Sequence, residues 1–322
     1  MRHKILNTIG EKYTKKAQEL LHEHSELDCL DLTQEELVSR INGYSILLVG
    51  LGLNVDKNVI NKGKSLKIIA TATTGLDHID VDFATKKGIE IISLREETDF
   101  LNTITGTAEL AFGLMLDLMR QTHSAFDSVK KYQWDRESFR GHNLYGQTLG
   151  IVGLGRLGGW MAKYGQAFNM NIISFDPKKD QQYFDNIGVK KAEFEELLSQ
   201  SDVISIHVHL KENTENMFGR GAFSKMKNTA YLINTSRGKI VNEEDLFDAL
   251  ESKKIAGYAT DVLADELDFD KGFSEHPLVE YSKNHDNLII VPHIGGMTHE
   301  SREATDIFIA EKILKTISLL TG

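Results

Sequence analysis

Leu149-Gly150-Ile151-Val152-Gly153-Leu154-Gly155-Arg156-Leu157-Gly158-Gly159-Trp160 is an apolar run broken by a G-x-G-x-x-G frame. It predicts a buried strand that turns sharply into a helix. Gly153 permits the tight turn, Gly155 lets a pyrophosphate approach the backbone, and Gly158 lets helix and strand pack closely. The pattern alone is common. Its context strengthens it, because the next apolar run ends at Asp176, 23 residues after Gly153. A carboxylate there accepts hydrogen bonds from an adenosine ribose and repels a 2′-phosphate, which favours NAD over NADP. Lys178 and Lys179 weaken that preference, and Asp176 also suits a turn before Pro177. A methyltransferase shares a similar glycine turn.

The surrounding chain is α/β. Apolar runs at 3–9, 27–32, 46–49, 66–72 and 89–94 alternate with helical patterns, which predicts a parallel sheet. Thr33, with Glu36 three residues on, predicts a capped helix to Ile41. After the glycine turn, runs at 169–175, 203–208, 230–234, 255–261 and 288–292 predict a second, larger doubly wound unit. The stretch Asn102–Arg120 is apolar nearly all round and predicts a buried helix, either an interdomain spine or a subunit interface. Residues 126–145 read as a helix end and a loop, and 298–320 as an amphipathic helix.

Composition sets limits. The chain has 322 residues and a net charge of -10, which opposes a nucleic-acid surface or a polybasic membrane anchor. No apolar run approaches the ~20 residues of a membrane span, and no signal peptide is visible at the start. Cys29 is the only cysteine, so no intramolecular disulfide or cysteine-based zinc cluster is expected. A cytoplasmic protein is the natural expectation. The acidic residues Asp261, Asp265, Glu266, Asp268 and Asp270 lack the order of a calcium loop, and no metal is expected.

Side chains at later strand ends offer a reaction, since ligands bind beyond the carboxyl ends of strands in open α/β sheets. Arg237 lies in Ile233-Asn234-Thr235-Ser236-Arg237-Gly238, Glu266 in Asp261-Val262-Leu263-Ala264-Asp265-Glu266, and His293 in Val291-Pro292-His293-Ile294-Gly295-Gly296. Histidine can take a hydroxyl proton as hydride leaves for nicotinamide, and a neighbouring carboxylate would raise its pKa. Arginine can clamp a substrate carboxylate. Each also has an ordinary structural reading. Gly50-Leu51-Gly52 resembles a second glycine motif but lacks its third glycine, so it reads as a loop. Thr71–Asp80 suits an anion site and a plain strand-to-helix turn equally.

Together these stretches resemble the D-isomer-specific 2-hydroxyacid dehydrogenase family. The resemblance is carried by Thr74-Gly75-Leu76-Asp77-His78-Ile79-Asp80, Leu149–Gly158, Ser201-Asp202-Val203, Asn234–Gly238, Asp261-Val262 with Glu266, and Pro292–Gly296. It implies two Rossmann-like doubly wound domains with an active-site cleft between them. Residues 1–101 and 297–322 would form a discontinuous substrate domain, and 102–296 an NAD-binding domain. It implies Arg237, Glu266 and His293 as the catalytic triad. Cofactor contacts would be Thr74, Gly153, Gly155, Arg156, Leu157, Gly158, Asp176, Val208, His209, Thr235, Ser236, Asp261, Gly295 and Gly296. Substrate contacts would be Leu51, Thr74, Gly75, Arg237 and His293. A homodimer is also implied.

Some positions depart from the family pattern. Leu267 replaces the proline that usually follows the glutamate, and His209 replaces the proline of an H-x-P segment beginning at His207. Gly50-Leu51 stands where phosphoglycerate-type relatives carry Arg-Ser, which predicts an unphosphorylated substrate. The chain stops after its last helix, so no regulatory domain is expected there. An NAD-sensing corepressor-like binding protein is the alternative from another class, and D-3-phosphoglycerate dehydrogenase the alternative within the family. Formate dehydrogenase relatives carry Gln where this chain has Glu266.

Overall fold

The computed structural model describes residues 2–266 and 275–321; Leu267, Asp268 and Asp270 lie outside them. The described chain divides into two compact units, residues 1–104 with 297–322, and residues 105–296. The first boundary falls three residues beyond the expected 101, because Ile104 packs against the first unit's core. No described helix is long and apolar enough to cross a membrane.

In the first unit, strands β1 (Lys4–Asn7), β2 (Glu26–Cys29), β3 (Ile46–Leu48), β4 (Ile68–Ala70) and β5 (Glu90–Ile92) form a parallel sheet in the order β2-β1-β3-β4-β5. Ile46, Leu47 and Leu48 are all buried, as expected of a strand covered on both faces. One face carries Leu6, Leu47 and Ile69 against helices such as Gln34–Arg40. That helix begins with the anticipated capping box, Thr33 with Glu36, a device worth ~1 kcal/mol. The other face packs Ile5, Ile46, Leu48 and Ile68 with Ile309, Ala310 and Ile313 of the last helix, His299–Thr321. The two ends of the chain are also tied by polar groups. The Tyr13 hydroxyl donates to the Asp306 carbonyl at 2.8 Å, and the Thr14 N–H to the Asp306 carboxylate at 3.1 Å.

In the second unit, β6 (Thr148–Val152), β7 (Asn171–Phe175), β8 (Lys190–Lys191), β9 (Val203–Ile206), β10 (Tyr231–Asn234), β11 (Gly257–Thr260) and β12 (Leu288–Ile290) form a parallel sheet. Its order is β12-β11-β10-β9-β6-β7-β8, so the winding reverses between β6 and β9. Strand β8 was not foreseen; two lysines at a sheet edge carry no apolar signal. The apolar stretch after Asn102 forms a helix only from Gly106 to Arg120, preceded by a short helix, Thr98–Leu101. Its residues Ala111, Phe112, Leu114, Met115, Leu118 and Met119 all enter the second unit's own core. The helix therefore does not supply the exposed apolar face expected of a subunit interface. Large exposed apolar side chains occur instead around the next helix, Thr122–Lys130, and beyond it: Phe126, Val129, Tyr132, Trp134 and Tyr145.

Candidate active site

The winding reversal between β6 and β9 is where open α/β sheets present a crevice for ligands. Gly153 follows β6 with φ +92°, and a Cβ there would stand 2.6 Å from the His207 carbonyl oxygen after β9. Only glycine fits that close approach. A Cβ at Gly158 would meet the Gly153 carbonyl at 2.1 Å, which brings the helix Arg156–Ala167 tightly onto the turn. At Gly155, exposed at that helix's N-terminus, a Cβ would meet nothing within 4 Å. The backbone there is open to a phosphate group, and the helix N-terminus favours negative charge. Arg156 and Leu157 follow, both half-buried.

Asp176, one residue past β7, accepts hydrogen bonds from the Leu154 N–H at 2.9 Å and the Lys178 N–H at 2.9 Å. Its carboxylate is thus pinned beside the glycine turn. At the adjacent ends of β9 and β10, the Thr235 hydroxyl oxygen and His207 Nδ1 are buried without a hydrogen-bond partner among the described residues. Such orphaned polar atoms are costly unless a ligand satisfies them. The open Gly155 backbone, pinned Asp176 and orphaned Thr235 fit a dinucleotide. His207 Nε2 lies 2.8 Å from the Ser205 hydroxyl, and burial pushes its pKa down to about 3, so it stays neutral. Val208 is half-buried and His209 exposed.

Two of the anticipated cofactor contacts have their side chains committed to the protein. The Ser236 hydroxyl donates to the Ile206 carbonyl at 2.8 Å, tying β10 to β9. Asp261 is buried, and its carboxylate accepts the N–H groups of Ile294 at 2.6 Å and Gly295 at 2.8 Å. Burial raises the Asp261 pKa, against the opposing effect of those two bonds. Gly295 is buried and Gly296 exposed.

Asp261 thereby holds the loop that carries His293. His293 has left-handed backbone, φ 53°, and its N–H donates to the Asp261 carbonyl at 2.9 Å. Its Nδ1 lies 2.8 Å from Glu266 Oε1. Burial works against the imidazolium, but the hydrogen bond and charge of Glu266, with the charge of Asp261, outweigh it; the His293 pKa is raised. Arg237 is near enough for its charge to oppose that rise. Its Nη1 donates to the Ser236 carbonyl at 2.7 Å, and Asn234 Nδ2 donates to its carbonyl at 3.0 Å. A Cβ on Gly238 would stand 2.1 Å from the Leu263 carbonyl carbon. The Arg237 loop and the Glu266 loop thus touch through a glycine, and the second unit brings Arg237, Glu266 and His293 together. Leu51, Thr74 and Gly75 belong to the first unit, in the loops after β3 and β4, and are half-buried there. Leu51 follows that sheet's own winding reversal, between β1 and β3. Among the described residues, no cluster of His, Cys, Asp and Glu could hold a metal.

Residues 112–295, over half of the chain, match the model of the D-isomer specific 2-hydroxyacid dehydrogenase NAD-binding domain. The chain is 37% identical to a D-3-phosphoglycerate dehydrogenase of Methanocaldococcus jannaschii over 94% of its own length and 55% of the relative's. It is 34% identical to a hydroxypyruvate reductase of Thermotoga maritima, covering 97% of this chain and 98% of that one. It spans about half the length of the curated phosphoglycerate dehydrogenases it matches. The D-lactate dehydrogenase of Aquifex aeolicus, solved with NAD and lactic acid, superposes with a TM-score of 0.82 at 28% identity, over 98% of this chain and 96% of that one.

Proposed function

Because the chain belongs to the D-isomer-specific 2-hydroxyacid dehydrogenase family, we propose that it is an NAD-dependent oxidoreductase that interconverts a small, unphosphorylated 2-hydroxy acid and its 2-oxo acid. The observation that carries this reading is the 2.8 Å contact between His293 Nδ1 and Glu266. With Nδ1–H directed at the carboxylate, Nε2 is the nitrogen that exchanges a proton with substrate. Glu266 orients the ring and stabilises its charged form. Arg237 holds the substrate carboxylate through its guanidinium fork. NAD, when bound, supplies the two-electron carrier. Gly153, Gly155, Arg156, Leu157 and Gly158 would hold its pyrophosphate, Asp176 its ribose, and Thr235, Val208, His209, Gly295 and Gly296 the remainder.

Leu51, Thr74 and Gly75 are assigned to substrate recognition on the family pattern. Neither 49–54 nor 71–76 contains a lysine or arginine, which favours an unphosphorylated substrate. Initial rates with NADH and pyruvate, glyoxylate, hydroxypyruvate or 3-phosphohydroxypyruvate test this. The highest kcat/KM on the phosphorylated acid would reverse the substrate assignment. Tight NADH binding with no turnover of any of the four would favour a binding protein.

Asp176→Ala is expected to shift the NADP/NAD ratio of kcat/KM by at least about tenfold toward NADP, because a like-charge clash is relieved. An unchanged ratio would remove Asp176 from the ribose contact.

A homodimer is also proposed, now on the exposed Phe126, Val129, Tyr132 and Trp134 rather than on the Gly106–Arg120 helix. Trp134 is 89% exposed in the single chain. Trp134→Glu should weaken association by about 30-fold or more, the effect of losing a central aromatic anchor. Sedimentation velocity at micromolar concentration checks it; a wild-type monomer would contradict the proposal.

A further inference from the structure

The loop that carries Glu266 is held from behind by groups that take no part in the reaction described above. Glu243 opens the helix Glu243–Glu251, whose N-cap Asn242 accepts a hydrogen bond from the Asp245 N–H. Glu243 Oε1 accepts the Ala264 N–H at 2.8 Å, two residues before Glu266. Its other oxygen, Oε2, lies 3.3 Å from His276 Nε2. Both side chains are mostly shielded from solvent, at 23% and 16% exposure, so solvent weakens the contact less than at an open surface pair. The same loop abuts Gly238, whose neighbour is Arg237. At its outer edge Lys239 pairs with Asp265 at 3.1 Å, but that contact is exposed and worth little.

We propose that Glu243, braced by His276, is a positioning residue that sets where Glu266 meets His293. The link is short. Fixing the Ala264 N–H fixes the turn in which Glu266 Oε2 accepts the Leu263 N–H at 3.3 Å, and this leaves Oε1 directed at His293. A Glu266 that drifts from His293 stabilises the imidazolium less and orients the ring less well. His293 is then left to Asp261 and to the opposing charge of Arg237. The inference rests on the proposed acid–base role of His293 and Glu266.

The test uses the full-length protein, NADH and whichever of the four 2-oxo acids above gives the highest kcat/KM. Glu243→Ala should lower kcat by roughly 10–100-fold, as small misplacements of a reacting group do. NADH affinity should be unchanged, and the His293 limb of the kcat/KM pH profile should move to lower pH. Glu243→Gln, which restores an acceptor for the Ala264 N–H, should recover most of kcat. His276→Gln should displace the limb in the same direction by less, and it serves if Glu243→Ala does not fold. A pH limb that stays at the wild-type position in a folded Glu243→Ala or His276→Gln protein would overturn the inference, even if stability falls. Glu266→Gln and His293→Ala are measured alongside. If those two leave kcat unchanged, the acid–base reading itself fails. If they lower it while the Glu243 and His276 variants leave the limb in place, only the positioning role fails.

Discussion

His293→Ala is expected to lower kcat by roughly 10²–10⁴-fold, the contribution of a positioned acid–base group. NADH binding should be almost unchanged, because the groups assigned to the pyrophosphate and ribose lie on other loops and Asp261 still holds the Ile294 and Gly295 N–H groups. Fluorescence titration with NADH, beside steady-state rates, separates the two effects. A variant with near-normal kcat would remove His293 from the chemistry. The wild-type pH profile should carry the same signature. Reduction of a 2-oxo acid needs the imidazolium, and the His293 pKa is raised by Glu266 and Asp261 despite burial. The reduction rate should therefore fall as pH climbs through that raised pKa. Oxidation, which needs the neutral ring, should rise through it, and His293→Ala should abolish both limbs.

Gly153→Ala is expected to destabilise the nucleotide unit strongly. The residue sits at φ +92°, and the new methyl would be driven to 2.6 Å from the His207 carbonyl oxygen and 2.7 Å from Val208 Cγ1. Backbone strain of about 1–3 kcal/mol and overpacking of about 1–3 kcal/mol together give a loss of about 2–6 kcal/mol. Shifting β9 away from β6 would also open the turn that the dinucleotide needs. Gly159→Ala is the control, since a Cβ there meets nothing within 4 Å and the residue lies inside a helix. It should be neutral or slightly stabilising. Urea unfolding with and without NADH measures both. Equal midpoints for the two variants would show that the close approach at Gly153 does not matter.

The sequence made the two parallel sheets readable because their strands are covered on both faces. Runs such as Ile46-Leu47-Leu48 and Leu149–Val152 are then apolar without interruption. The Thr33 cap was legible because Glu36 lies three residues on. Short or edge elements were not. Lys190–Lys191 has no apolar residue, and the helices Arg220–Lys225 and Pro277–Ser282 are too brief to show a period. The Gly106–Arg120 helix was identified by its burial, but its partners were not, since hydrophobicity alone does not distinguish a unit's own sheet from a second subunit. At the site, Arg237, Glu266 and His293 could be named from residue type and position at strand ends. The Gly238 contact with Leu263, the Glu243 bond to Ala264 and the double use of Asp261 join residues far apart in sequence. Such contacts leave no local pattern.

The first unit is closed by a helix from the far end of the chain. Ile309, Ala310 and Ile313 complete the same cluster as Ile5, Tyr13 and Ala17. During synthesis, the contiguous residues 105–296 can collapse as soon as they leave the ribosome. The earlier-made sheet must wait about 200 residues for its cover, on the order of 10–40 s at ordinary translation rates. For that interval its face of Ile5, Ile46, Leu48 and Ile68 has the cover of Ala17 and Leu21 but lacks that of Ile309, Ala310 and Ile313. The discontinuous layout therefore makes the first unit mature after residues 105–296, although its sheet is translated before them.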